Sequence, residues 1–201
     1  MSEKTANPQY AEAIRDTKET RISLSVNLAD PSRIEIATGI PFFDHMLNAM
    51  AFHGSIGLCV QAGGDLEVEY HHTVEDVGLV LGDALYTVFQ QLDGVQRYGH
   101  SIIPMDDALG EAVVDVCNRP YLVYEADYPQ DYCGQFPVAL FREFFWGLAV
   151  RARINLHLIV RYGLNSHHMT EALFKAMGRA LSQAYAPGSG GTASMSTKGR
   201  I

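Results

Sequence analysis

The sequence lacks the features of a disulfide-stapled, secreted or membrane-spanning protein. It has only three cysteines, Cys59, Cys117 and Cys133, an odd number without tight spacing. Such a set does not make a disulfide framework, so we expect reduced thiols and a cytoplasmic protein. The segment Met1–Tyr10 is polar and has no signal-peptide core, and no apolar run approaches the roughly 20 residues that span a bilayer. The sequence therefore predicts no membrane partner.

Positive charge is also scarce. Lysine and arginine number 15 against 23 aspartate and glutamate residues, which gives a formal net charge of −8. An acidic surface repels the phosphates of nucleic acids and anionic lipids, so neither is expected as a partner. A small anionic substrate remains compatible with this balance, because a few local arginines suffice to bind one phosphate.

What the sequence does have is an internal repeat marked by paired histidines. The motif His-His-x-x-Glu occurs at His71, His72 and Glu75, and again 96 positions later at His167, His168 and Glu171. Upstream, His45 and Glu143 hold comparable places at the start of an earlier helical pattern, 98 positions apart. A repeat of this length indicates a duplicated supersecondary unit with the halves packed about a pseudo-twofold axis.

Hydrophobic periodicity gives each half the order strands, helix, strands, helix. In the first half we predict strands at 21–28, 33–37, 56–60 and 65–70, with helices at 41–54 and 73–92. In the second half we predict strands near 101–106, 111–116, 121–126 and 154–161, with helices at 138–152 and 167–184.

The predicted fold class is α+β, with two similar halves that are each a mostly antiparallel sheet with two helices on one face. The helices could pack between the two sheets. Such a duplication resembles the fold of the second domain of ribosomal protein S5. We place the first repeat at 1–95, the second at 96–186, and a Gly/Ser-rich C-terminal tail that contributes to the active site at 187–201.

The spacing of the histidines and glutamates predicts two metal sites. A histidine and a glutamate four positions apart share one face of a helix, whereas the second histidine of each doublet points about 100° further round. One site would then combine ligands of both repeats, namely His71, Glu75, His168 and Glu143. The other would combine His167, Glu171, His72 and His45. Imidazole and carboxylate without thiolate suit Mn, Fe, Co, Ni or Zn.

Many ordered motifs resemble those of the imidazoleglycerol-phosphate dehydratase family over nearly the whole chain. They are Thr17–Thr20, Gly39–Leu47, His53–Gly54, His71–Asp76, Gly99–His100, Met105–Ala108, Asn118–Pro120, Ser166–Ala176 and Ser196–Gly199. Two positions depart from the family pattern: Glu143 stands where many members have histidine, and Ala49 where they often have glutamine.

The resemblance implies a hydro-lyase of histidine biosynthesis that converts D-erythro-imidazole-glycerol phosphate to imidazole-acetol phosphate. It implies two Mn²⁺ ions per active site, on the same eight ligands that the spacing groups. It also implies a homo-oligomer of 24 subunits built from trimers, with sites at subunit interfaces. The residues it implies for catalysis are Glu19, Glu171 and His45, and those for substrate binding are Glu19, Arg97, Arg119, Ser196, Thr197 and Lys198.

Two other functions are compatible with parts of the sequence. A dinuclear phosphoesterase could use the same ligands, with metals that activate water instead of the imidazole ring. A duplicated α+β unit could also be a nucleic-acid-binding module similar to a ribosomal protein, although the net charge of −8 opposes this.

Overall fold

The two halves of the chain repeat one order of secondary structure. In the computed structural model, which describes residues 8–188, the first half contains β1 (Tyr10–Asp16), β2 (Thr20–Asn27), β3 (Ile34–Ala37), α1 (Pro41–Gly54), β4 (Gly57–Gly64) and α2 (His71–Gln91). The second half contains β5 (Tyr98–Met105), β6 (Ala108–Asp115), β7 (Tyr121–Glu125), β8 (Tyr132–Cys133), β9 (Phe136–Pro137), α3 (Leu140–Ala152), β10 (Asn155–Tyr162) and α4 (Ser166–Tyr185). The division at residue 95 stays a prediction.

Each half forms one four-stranded sheet. The strand orders are β1-β2-β4-β3 and β5-β6-β10-β7, and only the last pair of each sheet is parallel. These pairs are parallel because a helix, α1 or α3, joins the two strands by a crossover that returns the chain in the same direction. The predicted α+β class, with two mostly antiparallel sheets, is confirmed.

The helices lie between the two sheets and pair across the halves, α1 with α4 and α2 with α3. Small residues allow the close approach. A Cβ atom on Gly54 of α1 would lie 2.6 Å from the carbonyl oxygen of Gly178 of α4. One on Gly82 of α2 would lie 2.7 Å from the carbonyl oxygen of Leu148 of α3. Larger side chains at these two positions would force the helices apart.

Aromatic side chains fill the space where the helices of both halves meet. The rings of Phe43 and Phe144 lie 5.3 Å apart edge to face, and those of Phe144 and Phe174 are stacked at 5.6 Å. All three side chains are fully buried. Because α1 belongs to the first half and α3 and α4 belong to the second, the two halves share one core.

Two local predictions failed. The alternating segment 65–70 was predicted to be a strand, but it turns, with the Val68 amide donating to the Asp65 carbonyl at 2.8 Å. The alternating pattern does not give a strand there, because the pairing of β4 with β2 already ends at Gly64. Strand β1 was not predicted, since its inward residues, Ala11 and Ala13, are too small to give a clear hydrophobic period.

Candidate metal centre

Two helices bring three predicted ligands together. Helix α4 begins at Ser166, where the Asn165 side chain accepts a hydrogen bond from the His167 amide at 2.9 Å. One turn further on, Glu171 Oε2 lies 3.2 Å from His167 Nε2 and 3.4 Å from Nε2 of His45 in α1. The ligand atoms of these three residues all lie within 4.8 Å of one another. Within residues 8–188, no other group of three or more such ligands is this compact.

A lysine fixes the carboxylate of this group. Lys175 Nζ lies 2.6 Å from Glu171 Oε1, so that Oε2 is the oxygen that faces the two imidazoles. Burial alone would raise the pKa of Glu171, but the hydrogen bond and charge of Lys175, with a contribution from His45, lower it overall. Glu171 is therefore held as a carboxylate, the form that binds a cation.

The other half carries the equivalent pair in a looser arrangement. His71 Nε2 lies 3.3 Å from Glu75 Oε2, and the Glu75 side chain is 36% exposed against 10% for Glu171. Glu143 of α3 holds the place of His45, but its carboxylate contacts its neighbour Arg142 at 3.5 Å. Of the four ligands predicted for this site, the chain by itself brings two into direct contact.

The second histidine of each doublet turns away from the first. The rings of His71 and His72 lie 6.1 Å apart at 75°, and those of His167 and His168 lie 6.0 Å apart at 73°. His72 Nδ1 instead contacts both oxygens of Asp65 at 3.1 Å, which raises the pKa of His72. Neither His72 nor His168 joins the compact group formed by the described residues.

His168 has a matching partner. Its Nδ1 lies 2.6 Å from Asp107 Oδ1, in the tight turn between β5 and β6. This hydrogen bond, together with those from the Leu164 and Asn165 amides, lowers the pKa of Asp107 to about 2. Both second histidines therefore direct Nδ1 at an aspartate of their own chain, and His168 Nε2 lies 3.6 Å from Asp106 Oδ2.

The predicted acid–base residue lies beside His72. Glu19 is exposed in the turn between β1 and β2, and its carbonyl accepts a hydrogen bond from the Asp65 amide at 3.2 Å. Both residues line an open groove of about 710 Å³. The negative charge of Glu19 also contributes to the raised pKa of His72. Glu19 is thus near His72 and lines the same groove as Asp65, the hydrogen-bond partner of that histidine.

The predicted phosphate-binding arginines lie elsewhere in the chain. The Arg97 amide donates to the Ala184 carbonyl at 2.9 Å, near the end of the helix that begins beside His168. Ala184 lies sixteen positions after His168 on the same helix, a distance of about 24 Å along the helix axis. Arg97 forms an ion pair with Asp115 at 2.7 Å.

Arg119 is exposed in the loop that follows β6, at the same end of the sheet as Arg97. Within one chain, neither arginine reaches the histidines. Ser196, Thr197 and Lys198 lie outside the described residues.

A second cavity adjoins the compact ligand group. It measures about 720 Å³ and is bordered by His45 and His167. Aromatic side chains form much of its wall, including Phe42, whose ring meets that of His167 edge to face at 5.1 Å. The small ribbon β8–β9, which has no counterpart in residues 8–95, closes one side.

The donor set of this group fits a divalent first-row metal ion. Two imidazole nitrogens and one carboxylate oxygen are ligands that such ions accept. Neighbouring ligands on an octahedral ion with bonds of about 2.1 Å lie about 3 Å apart. The observed separations of 3.2 and 3.4 Å are close to that spacing.

Three residues of these sites were not predicted from the sequence. Lys175 lies four positions after Glu171 on one helix face, a spacing that could have revealed it. Asp107 lies inside a motif that carries the family resemblance, yet no role followed from the motif itself. Asp65 gave no signal, because it was placed in a predicted strand.

Among residues 8–188, no helix is both long enough and apolar enough to cross a membrane. All three cysteines are free thiols.

Comparison with known proteins gives consistent matches. The family model described as imidazoleglycerol-phosphate dehydratase matches residues 38–181. An imidazoleglycerol-phosphate dehydratase of Shouchella clausii is 47% identical over 190 residues, which cover 94% of this chain and 97% of that protein.

Two solved structures are also similar. An imidazoleglycerol-phosphate dehydratase of Staphylococcus aureus has a TM-score of 0.81 and 35% identity, covering 89% of this chain and 99% of that one. An IGPD of Pyrococcus furiosus has a TM-score of 0.81 and 38% identity, covering 94% and 99%.

Proposed function

The chain belongs to the imidazoleglycerol-phosphate dehydratase family and is thus a hydro-lyase of histidine biosynthesis, and we propose that it works through two Mn²⁺ ions at each active site. The reaction removes water from D-erythro-imidazole-glycerol phosphate and gives imidazole-acetol phosphate. The observation that supports a metal-dependent site is the compact group of His45, His167 and Glu171.

We assign four ligands to each ion. The first ion would be held by the compact group together with His72, and the second by His71, Glu75, Glu143 and His168. The ions would act as Lewis acids on the imidazole ring and as a template for the substrate. Six positions around an octahedral ion exceed four protein ligands by two, so each ion would have places left for substrate or water.

The chain's own residues would handle protons and phosphate. Water forms from the hydroxyl on the carbon next to the imidazole ring and a proton from the following carbon. Glu19, exposed on the groove beside His72, is our candidate for moving that proton, assisted by the ligands His45 and Glu171. The enol left behind then becomes the ketone.

The phosphate would be bound by cationic and hydroxyl groups. Arg97 and Arg119 present planar guanidinium groups, which match phosphate oxygens in pairs. The tail residues Ser196, Thr197 and Lys198 complete the proposed set.

The separation of these groups within one chain supports sites shared between subunits. Neither His72 nor His168 joins the compact ligand group of its own chain, and Arg97 lies about 24 Å along α4 from His168. We therefore propose that neighbouring copies supply the missing ligands, in a 24-subunit assembly of trimers. Ligands from different chains on one ion would convert metal-binding energy into association energy.

The composition supports a cytoplasmic location and a small-molecule partner. The three free thiols are typical of a reducing compartment. The net charge of −8 opposes nucleic acid or an anionic membrane as a partner. The phosphoesterase alternative has no support from the family, because the matched family and relatives are dehydratases.

The test is to incubate purified, Mn²⁺-loaded protein with imidazole-glycerol phosphate. We expect enolised ketone absorbance to rise without release of inorganic phosphate, whereas phosphate release without ketone would support the phosphoesterase. A chelator should stop the reaction and disperse the assembly. A chelated sample that kept both its size and its activity would contradict the metal assignment.

Glu19→Gln tests the proton-transfer assignment. We expect turnover to fall by about 100-fold or more, since general acid–base groups contribute 10²–10⁴-fold, while metal content stays unchanged. Glu67→Gln, on the rim of the same groove, is the control and should retain activity. Full activity of Glu19→Gln would remove Glu19 from the mechanism.

A further inference from the structure

Two aspartates bind the same ring atom in the two second histidines. Asp65 receives His72 Nδ1 on both oxygens at 3.1 Å, and Asp107 receives His168 Nδ1 at 2.6 Å. An ionised carboxylate only accepts hydrogen bonds, so Nδ1 must be the nitrogen that donates. In a neutral ring the lone pair then lies on Nε2, the atom on the far side.

These two contacts do not derive from the duplication. Asp65 follows β4, and the residue at the equivalent position after β10 is Gly163. Asp107 lies in the turn between β5 and β6, whereas the equivalent turn between β1 and β2 contains Thr17 and Glu19. The halves reach one contact from two different places in the fold. If the two aspartates had been inherited through the duplication, they would occupy equivalent positions in the two halves. They do not, so what the halves have in common is only the contact with Nδ1.

Backbone hydrogen bonds hold both aspartates, at the carboxylate of Asp107 and at the main chain of Asp65. Asp107 Oδ2 accepts hydrogen bonds from the Leu164 and Asn165 amides at 2.5 and 3.1 Å, immediately before α4. Asp65 is held by a turn in which its carbonyl accepts from the Val68 amide at 2.8 Å. Asp107 therefore offers a fixed acceptor, and in both contacts the carboxylate orients the imidazole ring and selects its tautomer.

We propose that Asp65 and Asp107 are positioning residues that orient His72 and His168, so that each imidazole presents an unprotonated Nε2 to a metal ion. This inference rests on the proposed role of both histidines as ligands. A histidine ligand usually donates its other ring N–H to such a partner, and loss of the partner typically weakens metal binding 10–100-fold. Without the aspartate, the ring is free to rotate or to carry its proton on Nε2.

The experiment titrates metal-free protein with Mn²⁺ in a calorimeter. Asp107→Asn keeps the size of the side chain. It should weaken Mn²⁺ binding by about 10–100-fold at the site that uses His168 and leave binding at the other site unchanged. The matched control is Asp93→Asn, an exposed aspartate just after α2 and at the opposite end of that helix from His72. The control should bind Mn²⁺ at both sites within about threefold of the wild type, because it removes one surface charge that lies far from the ligands.

Asp65→Asn is the independent second variant, with Glu67→Gln as its control. This variant should weaken Mn²⁺ binding at the other site, the one to which we assign His72. Asp107 also accepts hydrogen bonds from the two residues before α4, so its replacement could disturb the start of that helix. Asp65 makes no such contact, so a weaker site in Asp65→Asn cannot have that cause.

Nitrogen NMR of the metal-free imidazoles separates positioning from general structural damage. In the wild type, we expect His72 and His168 to carry the proton on Nδ1. Asp107→Asn should change the tautomer signature of His168 alone, and Asp65→Asn that of His72 alone. Thermal unfolding of the metal-free variants gives a check that the fold persists.

The outcomes distinguish this inference from the function on which it rests. If His168→Ala retains both classes of ions at wild-type affinity, the proposed metal site fails. If His168→Ala loses one class while Asp107→Asn binds both like the wild type with an unchanged tautomer, the positioning role is wrong. Selective weakening by both aspartate variants, with silent controls, supports it.

Discussion

The α1–α4 seam and the α2–α3 seam are two copies of one helix pairing with different charges. In the α1–α4 seam, His45 faces Glu171, and Lys175 follows one turn after the glutamate. In the α2–α3 seam, Glu143 stands for His45, and Glu75 stands for Glu171.

The position equivalent to Lys175 in the α2–α3 seam is Leu79, which carries no charge. Further along, an exposed ion pair joins Arg151 to Asp83 at 2.6 Å. The backbone frame is therefore conserved between the seams while the electrostatics are not.

This difference in charge indicates how one duplicated helix pairing can provide two metal sites with different ligands. The α1–α4 seam offers one carboxylate whose charge is balanced by Lys175, and it is already compact in the isolated chain. The α2–α3 seam offers two carboxylates without a lysine at the matching position, and its ligands are further apart. We expect the first seam to be preformed and the second to gather around the ion.

The largest expected effect comes from removing the glutamate of one seam at a time. Glu171→Gln should lose one ion per chain and reduce turnover by more than about 100-fold, because even loss of a ligand's supporting partner costs 10–100-fold in affinity or activity. Glu75→Gln should lose the other ion with a similar loss of turnover. Metal analysis of the purified variants gives the stoichiometry, and loss of both ions from either variant would show that the seams are not independent.

A smaller effect is expected when the seams are made alike by Lys175→Met. The metal-free protein should lose about 1.5–3 kcal/mol of unfolding free energy at neutral pH, the range for a hydrogen bond to a charged group. Leu79→Met, at the matching position of the other seam, is the control and should change stability little.

The pH dependence of Lys175→Met follows from the lowered pKa of Glu171. Its ordinary value is 4.5, so the ion pair stabilises the fold above that pH. As pH falls through the lower pKa of the folded protein, Glu171 takes up a proton and the stabilisation is lost. The difference between variant and wild type should therefore shrink below pH 4.5, and denaturant unfolding across this range measures it; a difference independent of pH would contradict the ion pair's role.

The smallest effect is expected from exchanging the one ligand that differs in type. Glu143→His removes one negative charge from the α2–α3 seam and should weaken Mn²⁺ there roughly tenfold, about 1.4 kcal/mol. Affinity for Zn²⁺ or Ni²⁺ should fall less, since imidazole suits these ions. Competition between metals, measured calorimetrically with His45→Glu as the reciprocal variant, checks this; equal weakening of all ions would argue against a ligand effect.

Much of the fold followed from sequence periodicity, for a physical reason. Helices such as α2 and α4 bury one continuous stripe, so their apolar spacing is local information. The pairing of β3 with β4 in parallel, by contrast, depends on where α1 packs. Strand β1 was missed because small inward residues carry little periodic signal.

The contacts of the metal site also divide into those that the sequence predicts and those that depend on packing. The pairs His71 with Glu75 and His167 with Glu171 could be predicted because a helix fixes the distance between residues four positions apart. The contact of His168 with Asp107 spans 61 positions and depends on how a hairpin turn meets the start of α4. The position of Arg97, far from the histidines of its own chain, likewise depends on the packing of β5 against α4.

Mixing two inactive variants tests most directly whether each ion is shared between copies of the chain. His45→Ala lacks a ligand of the compact group, and His72→Ala lacks the ligand that we assign to a neighbouring copy. If the metal-free proteins are mixed and reassembled with Mn²⁺, random mixing in a symmetric oligomer should restore roughly a quarter of the sites. Recovery of activity on that scale is the predicted result, and a mixture as inactive as its two components would contradict shared sites.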